Sequence, residues 1–167
     1  PPFKSFWRKA GLTSSRTPRK MEPDYAQAVA WLLHRAQEID QPGTPLQEMI
    51  YVGDTEVLDV PPFHQLKAAL GLPGWAFIAH EKAAEPPRIE KEGDVMLANR
   101  WSALAAYIGW LQDEGARLGA GTVVVVDMDK TLLGARGRNE LPVDQARVEG
   151  VERTVAAIVG SHFDRAR

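Results

Sequence analysis

The sequence predicts an α/β fold in which a Rossmann-like parallel sheet carries helices on both of its faces. Short apolar runs alternate along the chain with longer segments whose apolar residues recur at helical spacing. This alternation is typical of βαβ units, which build parallel sheets. The strongest strand signal is the run of four valines at 123–126, and a continuously apolar strand is typically covered on both faces.

Each element is predicted from periodicity and from the residues that interrupt it. Pro23 suits a helix start, because its missing N–H would have no partner there. Segment 81–93 is charged and contains Pro86-Pro87, so it is predicted as a surface linker. The predicted elements, in chain order, are a helix from Pro23 to Ala36, a strand at 49–52, a helix at 62–70, strands at 75–79 and 95–98, a helix at 101–118 and a strand at 123–126.

Composition excludes several classes of protein. The chain has 167 residues, a formal net charge of −2 and no cysteine. The missing cysteine excludes a disulfide scaffold, a thiol nucleophile and cysteine-ligated metal. The balanced charge argues against a nucleic-acid-binding protein. The most apolar stretch, 101–111, is about half of the roughly 20 residues that a membrane span needs, so we expect no membrane contact and a cytoplasmic location.

The first twenty residues carry six basic residues and no acid. They are interpreted either as a basic arm or transit-like segment, or as a short helix around 3–10 followed by a polar loop. Phe3, Phe6 and Trp7 are too apolar for a free tail, so we expect them to pack on the core.

Two carboxylates two residues apart, Asp127 and Asp129, follow the valine strand. Ligands bind beyond the carboxyl ends of the strands in open α/β sheets. Close carboxylates repel one another unless they are protonated or share a cation, and oxygen ligands suit Mg²⁺. One carboxylate can attack phosphorus while the other transfers protons. The pair therefore predicts a metal or phosphate site, and the alternative is a surface turn with two solvated acids.

Segment 127–134 resembles the first motif of the haloacid dehalogenase superfamily of phosphohydrolases, an apolar strand followed by DxDx[TV]. The resemblance implies that Asp127 is the nucleophile, that Asp129 is the general acid and base, and that Thr131 is the hydroxyl residue of the motif. Lys130 stands where glycine is commoner. The resemblance also implies that backbone amides after Asp127 hold the phosphoryl oxygens.

Two further segments resemble motifs of the same superfamily. Segment 49–59 is an apolar strand followed by GDxxxxD, which implies that Asp54 ligates Mg²⁺ directly and that Asp59 does so directly or through water. The alternative for Asp54 is a helix cap or turn residue. Segment 19–25 implies that Lys20 is the lysine beside the nucleophile; the alternatives are a solvated lysine, or Lys9 in that role.

The motifs occur in an unusual order, because the lysine and GDxxxxD segments precede the DxDxT segment. Three explanations remain open: a circular permutation, a junction between tandem modules, or one piece of a longer protein. The chain opens Pro1-Pro2, and no strand ending in serine or threonine supplies the superfamily's second motif. We therefore expect a missing segment or a second chain to complete the sheet, with the second motif and a cap after Arg167. The predicted domains are 1–80 and 94–140 as two halves of the core, 81–93 as linker and 141–167 as the first cap-like helix.

The predicted function is Mg²⁺-dependent hydrolysis of a small phosphomonoester through an aspartyl-phosphate. Arg136 and Arg138 follow the first motif and are candidates for gripping an anionic group of the substrate; a solvated loop is the alternative. The competing hypothesis is a non-catalytic regulatory or assembly module with the same fold, and a third is phosphoryl transfer to an acceptor other than water. The four histidines form no zinc pattern. His64 falls near Asp59, but a position on the helix surface is favoured for it, and His80 ends a predicted strand from which it could face the site.

Overall fold

The computed structural model describes residues 3–82, 84–132 and 140–159. The elements in chain order are a 3-10 turn (Phe3–Ser5), α1 (Pro23–Asp40), β1 (Glu48–Gly53), α2 (Glu56–Leu70), β2 (Gly74–Ala79), β3 (Ile89–Glu92), β4 (Val95–Ala98), a second 3-10 turn (Trp101–Ala103), α3 (Leu104–Asp113), β5 (Thr122–Val126), a π-helical turn (Met128–Leu132) and α4 (Glu140–Val159). Residues 1–132 form one compact unit and 133–167 a second.

The strands form one sheet in the order β3-β4-β2-β1-β5. Within the described residues, four strands run parallel and β3 pairs antiparallel with β4. The α/β class predicted from the sequence is confirmed. The chain progresses from β1 outward to β4 and then returns to add β5 on the other side of β1, so the strand order reverses between β1 and β5. In open α/β sheets, ligands bind beyond the carboxyl ends of the strands at such a point.

Helices cover both faces of the sheet. On one face α1 and α2 pack through small and large apolar side chains, including Ala26, Ala30 and Phe63. On the other face α3 packs Tyr107 and Trp110 against the middle of the sheet. Alternate residues of β1 therefore enter different cores, which explains why its sequence is apolar without interruption.

The N-terminal segment packs on the outer side of α1. The Phe6 and Trp31 rings stack with their centroids 4.8 Å apart, and Trp7 lies partly buried beside them. Packing of Phe6 and Trp7, as expected from their apolar character, is confirmed. The side chain of Phe3 lies outside the described part of the chain.

Four predicted elements differ from those observed. The short helix that is one interpretation of residues 3–10 is limited to the 3-10 turn Phe3–Ser5. The helix predicted at 62–70 begins at Glu56 and contains Pro61 and Pro62, because the Asp59 carboxylate accepts the backbone N–H groups just before its first turn. The helix predicted at 101–118 ends at Asp113, and Leu118 lies outside it at a φ of 41°. Segment 81–93, predicted as a linker, contains the exposed strand β3.

The prediction that both faces of the valine strand are covered is wrong for the described part of the chain. Within that part β5 pairs only with β1 and forms the edge of the sheet. Val123 and Val125 pack against the α1 and α2 core, but Val124 is 58% exposed and Val126 is 37% exposed. The reason is that α3 covers the middle of the sheet, between β1 and β4, and leaves the opposite face of β5 open.

Residues 140–159, in the second compact unit, form the helix α4. The sequence predicted a helical segment here, and Val148, Val151 and Val155 fall at helical spacing on it. All three side chains are exposed.

Candidate functional site

The carboxyl ends of β1 and β5 bring two predicted site residues together. Asp54 follows β1 directly and Asp127 follows β5 directly. The register pairs Val52 with Val126, and the Asp127 N–H donates to the Val52 carbonyl over 2.8 Å. Parallel pairing therefore fixes Asp127 beside Asp54, although 73 residues separate them. The site lies where the strand order reverses.

Asp59, in the first turns of α2, is the best-packed polar residue of the site. Its side chain is 1% exposed, and both carboxylate oxygens are occupied. Oδ2 accepts the N–H groups of Asp54 and Thr55 at 3.0 and 2.9 Å. Oδ1 accepts the Lys20 ammonium at 2.5 Å and the Tyr51 hydroxyl at 3.1 Å. These donors use the roughly four acceptor positions of a carboxylate, so Asp59 is held firmly in place.

Gly53 is required by the position of Asp59. A Cβ added at Gly53 would lie 2.5 Å from both Cγ and Oδ2 of Asp59. The buried carboxylate cannot retreat without losing its hydrogen bonds. The Gly-Asp pair at 53–54 is therefore a packing requirement as well as a sequence motif.

Lys20 lies between two carboxylates that are distant in sequence. Its ammonium donates to Oδ1 of Asp59 and to Oδ1 of Asp127, the latter at 2.6 Å across 107 residues of sequence. Burial lowers the pKa of Lys20, but the hydrogen bonds from Lys20 to Asp127 and Asp59 outweigh this effect and raise the pKa well above its ordinary value. A permanent positive charge thus lies against Asp127. Lys9, the other candidate from the sequence, is exposed.

Tyr51, on β1, is a site residue that sequence reasoning missed. The ring lies in the apolar core, and the hydroxyl donates to the same Asp59 oxygen that Lys20 binds. Burial and the nearby Asp59 charge raise the pKa of the Tyr51 hydroxyl, so it remains a donor. The available signal was an aromatic residue with a polar end in a strand that is otherwise aliphatic.

Replacing Tyr51 by phenylalanine removes one of the four donors to a buried carboxylate. We expect a loss of about 1.5–3 kcal/mol in the free energy of unfolding, measured with urea. Tyr107→Phe is the matched control, because the Tyr107 hydroxyl donates to the neutral carbonyl of Trp75. That variant should lose about 0.5–1.5 kcal/mol. Equal losses in the two variants would contradict a special role for the charged acceptor.

Oxygen atoms of Asp54, Asp59 and Asp127 all lie within 4.8 Å of one another. Carboxylates at this separation repel unless a cation lies among them. Lys20 supplies one positive charge. Because four donors already occupy Asp59, the half-buried Asp54 and Asp127 are the carboxylates better placed to offer oxygen atoms to a metal ion.

A wide π-helical turn at 128–132 follows Asp127. The Leu132 N–H donates to the Asp127 carbonyl at 3.1 Å, which closes the turn. Turns of this type occur often at functional sites. The Thr131 hydroxyl oxygen is buried and has no hydrogen-bond partner among the described residues, and a buried hydroxyl usually has one. The side chain of Asp129 lies outside the described part.

Other predicted residues lie elsewhere. His64 is exposed and contacts Asp94 at 3.1 Å, not one of the three clustered aspartates of the candidate site. His80 is exposed at the end of β2 and lines a cavity that Asp54 also borders. Arg136 and Arg138 lie outside the described residues. The surface position that the sequence favours for His64 is confirmed.

Comparisons with known protein families, curated proteins and solved structures find no match to this chain. Among the described residues, no helix combines the length and the apolar character that crossing a bilayer requires.

Proposed function

We propose that this protein is a Mg²⁺-dependent phosphomonoester hydrolase of the haloacid dehalogenase type, acting through an aspartyl-phosphate on Asp127. The observation that carries the proposal is the contact of Lys20 with Asp127. Lys20, Asp54 and Asp127 come from three distant parts of the chain. Resemblance to that superfamily selects all three from the sequence alone. A chance similarity of three short strings would not be expected to bring them to one end of the sheet.

The residues present fit a magnesium ion. Mg²⁺ prefers oxygen ligands and usually takes one or two carboxylates together with phosphate and water. Asp54 and Asp127 would hold it, and the Asp129 backbone carbonyl is a further oxygen donor that the resemblance implies. Asp59 would contribute directly only by releasing one of its present donors, so we assign it to holding Lys20. When bound, the ion would neutralise negative charge on the substrate phosphate.

The proposed reaction has two steps. A carboxylate oxygen of Asp127 attacks phosphorus, the bond from phosphorus to the ester oxygen breaks, and Asp129 gives its proton to the leaving alcohol. Water then attacks the aspartyl-phosphate while Asp129 takes the water proton. The water oxygen bonds to phosphorus, and the bond from phosphorus to the Asp127 oxygen breaks. This step releases inorganic phosphate and restores the Asp127 carboxylate.

Lys20 and the turn after β5 would stabilise the charge that develops during both steps. The Lys20 ammonium is fixed by Asp59 and does not need to reorganise when the phosphoryl group arrives. The π-helical turn offers backbone N–H groups next to Asp127, and the Thr131 hydroxyl is a further donor. The hydrogen bond to Asp59 holds the Lys20 ammonium in place before substrate binds, which favours catalysis by preorganisation.

The proposal is tested by hydrolysis of p-nitrophenyl phosphate. We expect turnover with Mg²⁺, loss of turnover on removal of the metal with EDTA, and recovery when Mg²⁺ is returned. Asp127→Asn should lower kcat by at least about 10³-fold, because the nucleophile is removed. Asp113→Asn, at an exposed position at the end of α3, is the matched control and should keep full activity. Full activity in Asp127→Asn would overturn the proposal.

A non-catalytic assembly module is the second candidate, and the open edge of β5 favours it. Val124 and Val126 are exposed residues of β5. Within the described residues, this edge strand pairs with a neighbour on one side. Such an edge can accept another strand. This function predicts no turnover under any metal, together with a change in mass in solution when Val124 is replaced by lysine.

A further inference from the structure

A cavity of about 290 Å³ lies beside the carboxylate site, on the side of β1 away from β5. Its floor is made by apolar side chains at the carboxyl ends of β2 and β4, including Ile78 and Leu97. One wall is the segment Asp54–Val57, which leads into α2. Asp54 therefore borders both the cavity and the proposed metal site. This volume is at the small end of the range for small-molecule sites.

The opposite wall is the loop after β2, which is fastened to the sheet. Asn99 is 5% exposed, and its side chain donates to the Pro86 carbonyl and accepts the Arg88 N–H, each at 2.7 Å. The Arg100 guanidinium donates to the carbonyls of Lys82 and Glu85. Buried or part-buried polar side chains thus hold the backbone of a loop that composition alone predicts to be a solvated linker. Such support is what a positioned binding loop needs.

Three basic side chains line this cavity: His80, Lys82 and Arg88. Within the described part of the chain, Lys82 and Arg88 form ion pairs only with neighbouring exposed glutamates, Glu85 and Glu90, at 3.4 and 3.3 Å. Exposed ion pairs of this kind are worth about 0–1 kcal/mol, so either base can exchange its partner for a ligand. The His80 imidazole has no side-chain partner among the described residues.

The acids of the lining are Asp54, Glu56 and Glu90. Asp54 would be neutralised by a metal. Glu56 and Glu90 are exposed, so solvent screens their charges and Glu90 holds Arg88 only weakly. The cations near the mouth are therefore available to a ligand once the metal site is filled.

We infer that this cavity holds the leaving-group part of the substrate, and that this part carries a second anionic group bound by Lys82 and Arg88. The inference rests on the proposed function, because it identifies the neighbouring carboxylates as the phosphoryl site. It assigns the substrate to compact phosphomonoesters with a carboxylate or a second phosphate within a few bonds of the ester oxygen.

The test uses two phosphomonoesters that differ in one group. Phosphoglycolate carries a carboxylate where ethyl phosphate carries a methyl group. We expect kcat/KM to be about tenfold or more higher for phosphoglycolate, as one charged hydrogen-bonded contact provides. In Arg88→Met and Lys82→Met the ratio of the two kcat/KM values should fall toward one. Arg35→Met, which removes an exposed guanidinium on α1 that pairs with Glu38, should leave the ratio unchanged.

Calorimetric titration of Asp127→Asn with each ester separates the two proposals. Tighter binding of phosphoglycolate, lost in the double variant with Arg88→Met, supports an anion site in the cavity, and a matching preference in kcat/KM supports the leaving-group assignment. Turnover of both esters with equal kcat/KM overturns this inference and leaves the proposed function standing. Equal or absent binding of the two esters also overturns it. If the wild-type protein turns over none of the tested esters, the proposed function is overturned.

Discussion

Replacing Lys20 by methionine is expected to lower kcat/KM for p-nitrophenyl phosphate by about 10²–10³-fold, the cost of losing a preorganised charge at a reacting centre. The physical reason is its position between Asp59 and Asp127. Methionine keeps much of the length and apolar character of the lysine stem but supplies no charge and no donor. Steady-state kinetics with saturating Mg²⁺ measures the effect.

Lys9→Met is the matched control for this prediction. Lys9 is the sequence-based rival for the same role, it lies in the same basic segment, and its side chain is exposed. We expect the kcat/KM of Lys9→Met to match that of the wild-type protein. Circular dichroism of both variants establishes that each is folded at the assay temperature. Equal activity losses in the two variants would show that general basicity of the segment, and not the position of Lys20, supports catalysis.

The second large effect is expected for Asp59→Asn. The asparagine side chain would keep one oxygen for the N–H groups of Asp54 and Thr55, and its amide nitrogen would then face the Lys20 ammonium and the Tyr51 hydroxyl. The amide N–H donors would thus face the ammonium of Lys20, which cannot accept a hydrogen bond, in a buried position. We expect a loss of about 3–5 kcal/mol in the free energy of unfolding, because the hydrogen bonds from Lys20 and Tyr51 to a charged acceptor are each worth about 1.5–3 kcal/mol.

Asp94→Asn provides the comparison for that loss. Asp94 also pairs with a lysine, Lys67, at 2.5 Å, but its side chain is 27% exposed. The Lys67 ammonium and the His64 ring hold the pKa of Asp94 below its ordinary value against the opposing effect of burial. Solvent replaces the lost contact there, so we expect a loss of about 1 kcal/mol or less. Urea unfolding of both variants measures the difference, and a loss at Asp94 as large as that at Asp59 would contradict the account.

Much of the fold is predictable from the sequence because local pattern and tertiary structure agree. The four parallel strands occupy the apolar runs, and Pro23 begins α1 as its missing N–H predicts. The start of α2 is not predictable in this way, because the Asp59 carboxylate, rather than a proline, organises its first turn. Strand β3 escaped prediction because all of its residues are exposed and its pairing with β4 leaves no apolar pattern.

The candidate site is predictable only in part, for a physical reason. Motif resemblance selected Lys20, Asp54 and Asp127, and parallel pairing of β1 with β5 brings the two acids together. Resemblance could not show that Asp59 is saturated by four donors, because that depends on distances. Tyr51 and the basic residues of the cavity wall belong to no recognised sequence motif. Their roles follow from burial and from the hydrogen bonds of buried or part-buried polar side chains.

The central claim is that Asp127 becomes phosphorylated during turnover, and chemical trapping tests it most directly. The protein is mixed with phosphoglycolate and Mg²⁺, quenched with borohydride, digested and examined by mass spectrometry. Borohydride reduces an acyl phosphate to an alcohol, so a phosphorylated aspartate is recovered as homoserine. We expect homoserine at position 127 in the wild-type protein and none there in Asp127→Asn. Homoserine at Asp54 or Asp129 instead, or turnover with no trapped residue at all, would contradict the central claim.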